Sequence, residues 1–322
     1  MRLLDVRRWL RQFRAVALIT LTCLIAGGCG TWRADTSARF ARQEVSYVYV
    51  PSTGRFYLGG GRSMVQEAYD PRTRSWTTVA PLPAALDHIQ SVVVNDRIYY
   101  IGGLISFPAP AVGSVYVYDP ATNTFSTGAS MPSARERGAG GVAVHDGKIY
   151  YAGGLYNGAA VKWFDQYDPT TDAWTSLTDM PEARDHFQSA VVGGRLYAIG
   201  GRNTAIDATT TVNDAYDFSS QSWVTGLAPL PTPRGGFAAA AIGTTIFLIG
   251  GEGGGRTYGT VEGFDTGTNR WTRYADMPTA RHGIEAAVCN GAIYIADGGT
   301  KQGGSAPTAI QEVFTPGKPA GC

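Results

Sequence analysis

The chain is short of charge, of cysteine and of long apolar runs, and each shortage removes a class of protein. Charged residues make up 16% of its 322, with 27 Lys and Arg set against 26 Asp and Glu. The resulting net charge of +1 offers no electrostatic footprint for nucleic acid or for an acidic membrane surface. Four cysteines, Cys23, Cys29, Cys289 and Cys322, are too few for a disulfide scaffold, although they allow one bridge. The apolar run at residues 15–26 is 12 residues long, where a bilayer-spanning helix takes roughly 20. What the chain does have is glycine (42) and tyrosine (17), the composition of a turn-rich all-β protein.

Those glycines and tyrosines recur in a pattern. Gly pairs stand at 60/61, 102/103, 153/154, 200/201, 250/251 and 298/299, closing runs such as IYYI and LYAI. After the first five comes a Tyr-Asp or Phe-Asp pair, led by Tyr69, Tyr118, Tyr167, Tyr216 and Phe264, at intervals of 49, 49, 49 and 48 residues. Seven residues further on is an aromatic: Trp76, Phe125, Trp174, Trp223 and Trp271. Segments such as MPSAR, MPEAR and MPTAR then close the unit. Each mark has a physical reading. The Gly pair ends a strand where backbone packs closely and φ turns positive. The Asp-Pro step starts a turn. Trp and Tyr fill the wedge between neighbouring sheets. No such unit buries both faces alone, so the core forms only when units stack.

This combination resembles the kelch repeat over nearly all of residues 29–322, and the resemblance implies an all-β, six-bladed β-propeller with one four-stranded blade per repeat. Six Gly pairs but five downstream aromatics leave the last blade one strand short. Trp32 supplies it: Trp32 to Arg42 is 10 residues, the same offset as Trp174 to Arg184 and Trp271 to Arg281. The segment TWRAD is therefore expected to close blade six from the other end of the chain, removing an open sheet edge.

Residues 1–28 read as a signal peptide, with Arg2, Arg7, Arg8, Arg11 and Arg14 ahead of the apolar run. The following Ala26-Gly27-Gly28-Cys29 resembles the lipobox of bacterial lipoproteins, which implies lipidation at Cys29 and a location in the cell envelope, on its periplasmic or extracellular face. Ordinary cleavage near Gly28 is the other reading. A Cys29–Cys322 disulfide would exclude the lipid; with the lipid in place, Cys322 is free or paired with Cys289.

In kelch propellers two sets of loops crowd one face around the central channel, and loops on a rigid scaffold carry binding. Two residues after the repeat's Arg (Leu86 in the second copy, Arg135 in the third) stand His88, Arg137, His186, Gly236 and Gly283, with Glu44 after Arg42. The resemblance implies that these side chains reach the channel mouth, with His282 intruding beside the glycines. Glu44, His88, Arg137, His186 and His282 are accordingly the candidate ligand-binding residues, suited to a small polar ligand such as a carbohydrate. The competing reading is that such residues bond backbone between blades.

Catalytic readings are weaker. No Gly-x-Ser-x-Gly elbow or phosphate loop is present. Galactose oxidase has a kelch-type propeller, but its copper needs a Tyr/His ligand set and a Tyr–Cys cross-link for which this chain has no match, so no metal or cofactor is expected. Exported sialic acid epimerases are similar in size and closure; the resemblance makes Glu252 and Arg256, in GGEGGGR, the candidate acid–base pair of a sugar mutarotase. The primary expectation is a non-catalytic, monomeric, lipid-anchored propeller that binds a carbohydrate or a protein, with no nucleic-acid partner.

Overall fold

The computed structural model describes residues 30–317 and residue 322. The expected signal segment 1–28 and Cys29 lie outside the described residues. Among the described residues there is no helix, and six four-stranded antiparallel sheets follow one another along the chain. The first blade is Val45–Val50, Arg55–Gly60, Gln66–Asp70 and Ser75–Val79. The sixth runs from Ala287–Cys289 through Ala292–Ala296 to Gln311–Thr315 and is completed by Thr31–Asp35. That closure is the expected one, and its register sets Trp32 opposite Phe314 and Asp35 opposite Gln311. The first strand of each blade packs against the first strands on either side and so faces the axis.

The repeat marks do the packing. The indole N–H of Trp32, Trp76, Trp174, Trp223 and Trp271 donates to a carbonyl near the tail of another blade: Ala275, Thr36, Ala129, Thr178 and Ala228 respectively. Ala38 takes the place of the Met or Leu before the repeat's Pro. It is buried, and its N–H donates to Ala309 O as that of Met131 donates to Gly113 O. Cys289 is disulfide-bonded to Cys322, with Cα atoms 5.7 Å apart, inside the usual range of 4.4–6.8 Å. The alternative Cys29–Cys322 bridge is thereby overturned.

Behind the channel, buried Arg–carboxylate pairs recur. Arg42 meets Glu67 at 2.7 Å, Arg137 meets Asp165 at 2.7 Å, Arg184 meets Asp214 at 2.9 Å, and Arg281 meets Glu312 at 2.8 Å, with Arg234–Glu262 completing the set. Each carboxylate stands two residues before the blade's Tyr or Phe mark. Blade two replaces both partners at once, with Leu86 and Tyr116 together in an apolar cluster. This is the hydrophobic substitution a buried ion pair tolerates.

Candidate functional site

One residue per blade forms an inner ring at the channel mouth: Glu44, His88, Ala139, His186, Gly236 and Gly283. All six have positive φ, between 54° and 64°. Their backbones link blade to blade: N–H donates to C=O from Ala139 to His88 (3.0 Å), His186 to Ala139 (2.7 Å), and Gly236 to His186 (2.8 Å). Gly283 to Gly236 and Glu44 to Gly283 continue the series, both at 2.8 Å. Glycine adopts this conformation freely, whereas other residues meet a cost of about 1–3 kcal/mol. Glu44, His88 and His186 keep their side chains here against that cost.

Arg137 is not in this ring, which corrects the sequence expectation. It is wholly buried and bonds Gly153 O, Arg135 O, Tyr151 O and Asp165. It fills the structural role that Arg184 fills one blade later, and Ala139 takes the ring position. The cause is a two-residue insertion: Phe125 to Arg137 is 12 residues where other blades have 10 or 11.

The other expected residues do meet. His88 Nε2 stands 2.8 Å from His186 Nε2 and 3.2 Å from Glu44 Oε2. The preceding aspartate stands behind each imidazole: Asp185 Oδ1 bonds His186 Nδ1, whereas Asp87 Oδ1 lies 3.2 Å from a His88 Nδ1 that makes no hydrogen bond. His282 intrudes as expected, its Nδ1 3.4 Å from both Glu44 Oε1 and Glu252 Oε2. Gly283 makes room for this, since a Cβ there would lie 2.6 Å from Glu44 Oε1.

Glu252 reaches the mouth, but not with Arg256. Arg256 is exposed on a short hairpin, its guanidinium 5.0 Å from the Tyr258 ring. Glu252 instead accepts from Arg202 Nη1 (2.9 Å) and from Gly303 N–H (2.7 Å). The candidate acid–base pair Glu252–Arg256 is therefore not formed. Arg202 was missed in sequence: it also donates to Asp185 Oδ1 (3.2 Å) and contacts His186 Nε2 (2.8 Å). A signal existed. In blades two to six the residue after the Gly pair bridges the residue before the ring position, as Arg202 does Asp185 and Glu252 does Gly235.

Burial drives the electrostatics. It pushes the Glu44 carboxyl up, but the His88 and His282 rings outweigh it and hold that carboxyl well below the usual range. His88 is raised because Glu44 and Asp87 overcome its burial, while burial and the Arg202 guanidinium lower His186. Burial works to lower His282 too, but Glu44 and Glu252 outweigh it and raise that ring.

Above the ring opens a cavity of about 420 Å³, lined by Glu44, His88, His186, Arg202, Glu252 and His282 and flanked by Phe107, Ile206 and Pro307. The Phe107 ring stacks on His88 at 5.2 Å. Charged groups converge at its base, with apolar side chains beside them, as small-ligand sites require.

Comparison with known proteins agrees with this architecture. The KLHDC2/KLHL20/DRC7 Kelch-repeats domain matches residues 29–201 and 178–313. This chain belongs to the kelch-repeat family. It is 38% identical over 316 residues to the Kelch-like protein terF of Aspergillus terreus, covering 93% of this chain and 68% of that one. Kelch-like protein 35 of Mus musculus matches at 30% over 115 residues, 34% of this chain and 18% of its own length. Among solved structures, that titled "Structure of YjhT" superposes with a TM-score of 0.75 at 17% identity, covering 87% of this chain and 97% of that one. That last likeness is one of fold. A kelch propeller is a scaffold for binding proteins or small ligands, and here one face carries a charged mouth.

Proposed function

We propose that this kelch propeller binds a small polar, polyhydroxylated molecule of the carbohydrate class in its channel mouth. The observation that carries the reading is the 420 Å³ cavity, in which anionic and cationic side chains converge beside Phe107. Carboxylates and Arg202 supply acceptors and donors for hydroxyls, and an aromatic face suits the apolar side of a sugar ring. A concave site of this size fits a small molecule better than a flat protein surface. The mutarotase alternative has lost its Glu252–Arg256 pair, and ligand binding without turnover is the reading retained.

We further propose that the chain is exported and anchored by lipid at Cys29 in the cell envelope. The leader supports this, as does the Cys289–Cys322 disulfide, a bond that persists in oxidising compartments. Thr31–Asp35 already belongs to blade six, so an anchored propeller would sit close against its membrane.

Isothermal titration of the full chain against a panel of monosaccharides and sugar acids tests the first proposal. Binding weakened about tenfold or more by Arg202→Ala is expected. No binding across the panel, or binding indifferent to that substitution, sinks it. Labelled palmitate entering the wild type but not Cys29→Ser tests the anchor; an unlabelled wild-type chain refutes it.

A further inference from the structure

Four clusters of buried chemistry stand out: the Arg–carboxylate pairs, the Asp297 carboxyl beside Arg42, the Glu285 carboxyl in the channel, and the mouth. The first three are explained by packing or have no room for a ligand. The mouth holds an arrangement that ligand binding alone does not require, in the way its two imidazoles face each other.

We propose that Glu44, His88 and His186 form a binding site for a first-row divalent transition metal, with open coordination positions facing the cavity. The ligand atoms of the three residues lie within 4.8 Å of one another. His88 Nε2 is 2.8 Å from His186 Nε2 and 3.2 Å from Glu44 Oε2. Donors held ~2.1 Å from one metal stand about 3.0–3.4 Å apart, so the three need only small adjustments to share an ion. Two imidazoles and a carboxylate suit Zn²⁺, Fe²⁺ or Co²⁺ rather than Mg²⁺ or Ca²⁺, which prefer oxygen donors throughout.

The supporting shell points the same way. Asp87 and Asp185 face the Nδ1 atoms of the two rings, which directs both Nε2 atoms into the mouth. A carboxylate behind each ligating imidazole is the usual device for fixing ring orientation and raising its basicity toward a metal. The three ligands sit on left-handed backbone just before the inner strands of blades one, two and four, and the ring of backbone hydrogen bonds from blade to blade sets their positions. Arg202 shares His186 Nε2 at 2.8 Å, but Asp185 and Glu252 hold it independently, so it can yield that nitrogen and keep its anchors. Three protein ligands leave the remaining positions open toward the cavity, where a ligand oxygen or water would complete the shell.

The proposal goes beyond ligand binding and departs from the expectation that no metal is held. Its test needs no sugar. The purified full chain, stripped with chelator, is titrated with Zn²⁺ and Co²⁺ against a chromophoric competitor. One equivalent is expected, weakened 100-fold or more by His88→Ala, His186→Ala or Glu44→Ala, and about 10–100-fold by Asp185→Asn. Should those variants fail to fold, X-ray absorption at the zinc edge of the wild type decides, with two imidazole ligands expected. Failure to bind either ion, affinity unchanged in folded variants, or fewer than two imidazoles in the zinc shell overturns the proposal. Sugar titrations repeated on the stripped protein keep the two proposals apart: retained sugar binding with no metal binding would defeat this one alone.

Discussion

Two sets of buried charge lie in this propeller, and they differ in whether they recur. The pairs Arg42–Glu67, Arg137–Asp165, Arg184–Asp214, Arg234–Glu262 and Arg281–Glu312 repeat in five blades of six. The mouth residues do not: its ring reads Glu, His, Ala, His, Gly, Gly, and the layer bridged to it in blades two to six reads Leu104, Leu155, Arg202, Glu252 and Gly299. A closed repeat protein thus carries its own control. Charge that recurs at one position from blade to blade belongs to the scaffold, and charge that stands at a position in one or two blades belongs to the site. Blade two confirms the first half, since its Leu86 and Tyr116 replace the ion pair without disturbing the sheet.

The sharpest way to break this comparison uses two residues of one segment. Arg184→Ala strands the Asp214 carboxylate and three carbonyl acceptors in the interior, and should cost about 3–5 kcal/mol in urea unfolding. Arg184→Leu with Asp214→Tyr, copying blade two, should recover most of that. His186→Ala, two residues on, leaves the φ of 54° unchanged and Asp185 still paired with Arg202, so it should cost about 1 kcal/mol or less. Equal losses from Arg184→Ala and His186→Ala would erase the distinction between scaffold and site.

Much of the fold was legible because the marks are local and repeated. Closure by TWRAD followed from one offset, Trp32 to Arg42. The site was legible in part. Glu44, His88 and His186 follow from a fixed position after the repeat's Arg, with His282 one residue before that position, and backbone geometry carries them into the mouth. Arg137 was misassigned because Arg135 to Gly153 is 18 residues, the same as Arg42 to Gly60. In the first blade that length comes from a longer hairpin after Val50, in the third from an insertion before the ring, and a spacing alone does not tell them apart. Glu252 and Arg256 are neighbours in sequence but lie on opposite arms of a hairpin, one turned inward and one outward. The meeting of His88 with His186, 98 residues apart, depends on ring closure and has no local signature.

A middle-sized effect belongs to the unrepeated set. Two residues below the ring, the channel carries Ser46, Gln90, Gly141, Gln188, Ala238 and Glu285. Glu285 is buried; it accepts from Tyr47 N–H (2.9 Å) and Gln188 (3.4 Å), and no cation among the described residues pairs with it. Burial pushes its carboxyl up to about 8 from an ordinary 4.5. In the unfolded chain this group ionises near 4.5, whereas in the folded chain it keeps its proton until about 8. The unfolded state therefore binds fewer protons between those values, and stability falls as pH rises through that window. Glu285→Gln should flatten this slope and gain about 1–3 kcal/mol at pH 8. Urea titrations at pH 5 and pH 8 decide it, and a wild type whose stability rises over that range refutes the assignment.

The smallest expected effect concerns a scaffold mark that one blade lacks. Phe125 stands where the other blades have Trp, and a phenyl ring cannot make the indole N–H bond that links blades elsewhere. Trp174 and Trp223 each reach a carbonyl 45 residues back, which for position 125 is Ala80. The backbone N–H of Ala80 is already fixed by Asn123 Oδ1 at 2.8 Å, so this tail lies beside the outer strand of blade two. Phe125 is only half-buried, which leaves space for the larger ring. Phe125→Trp should therefore add one hydrogen bond and some apolar contact, for a gain of about 0.5–1.5 kcal/mol. Because the position is scaffold, metal and sugar affinities should not move. A stabilised variant with altered metal affinity would show that blade packing and mouth geometry are coupled, and the division between recurring and unrepeated charge would then need a term linking the two.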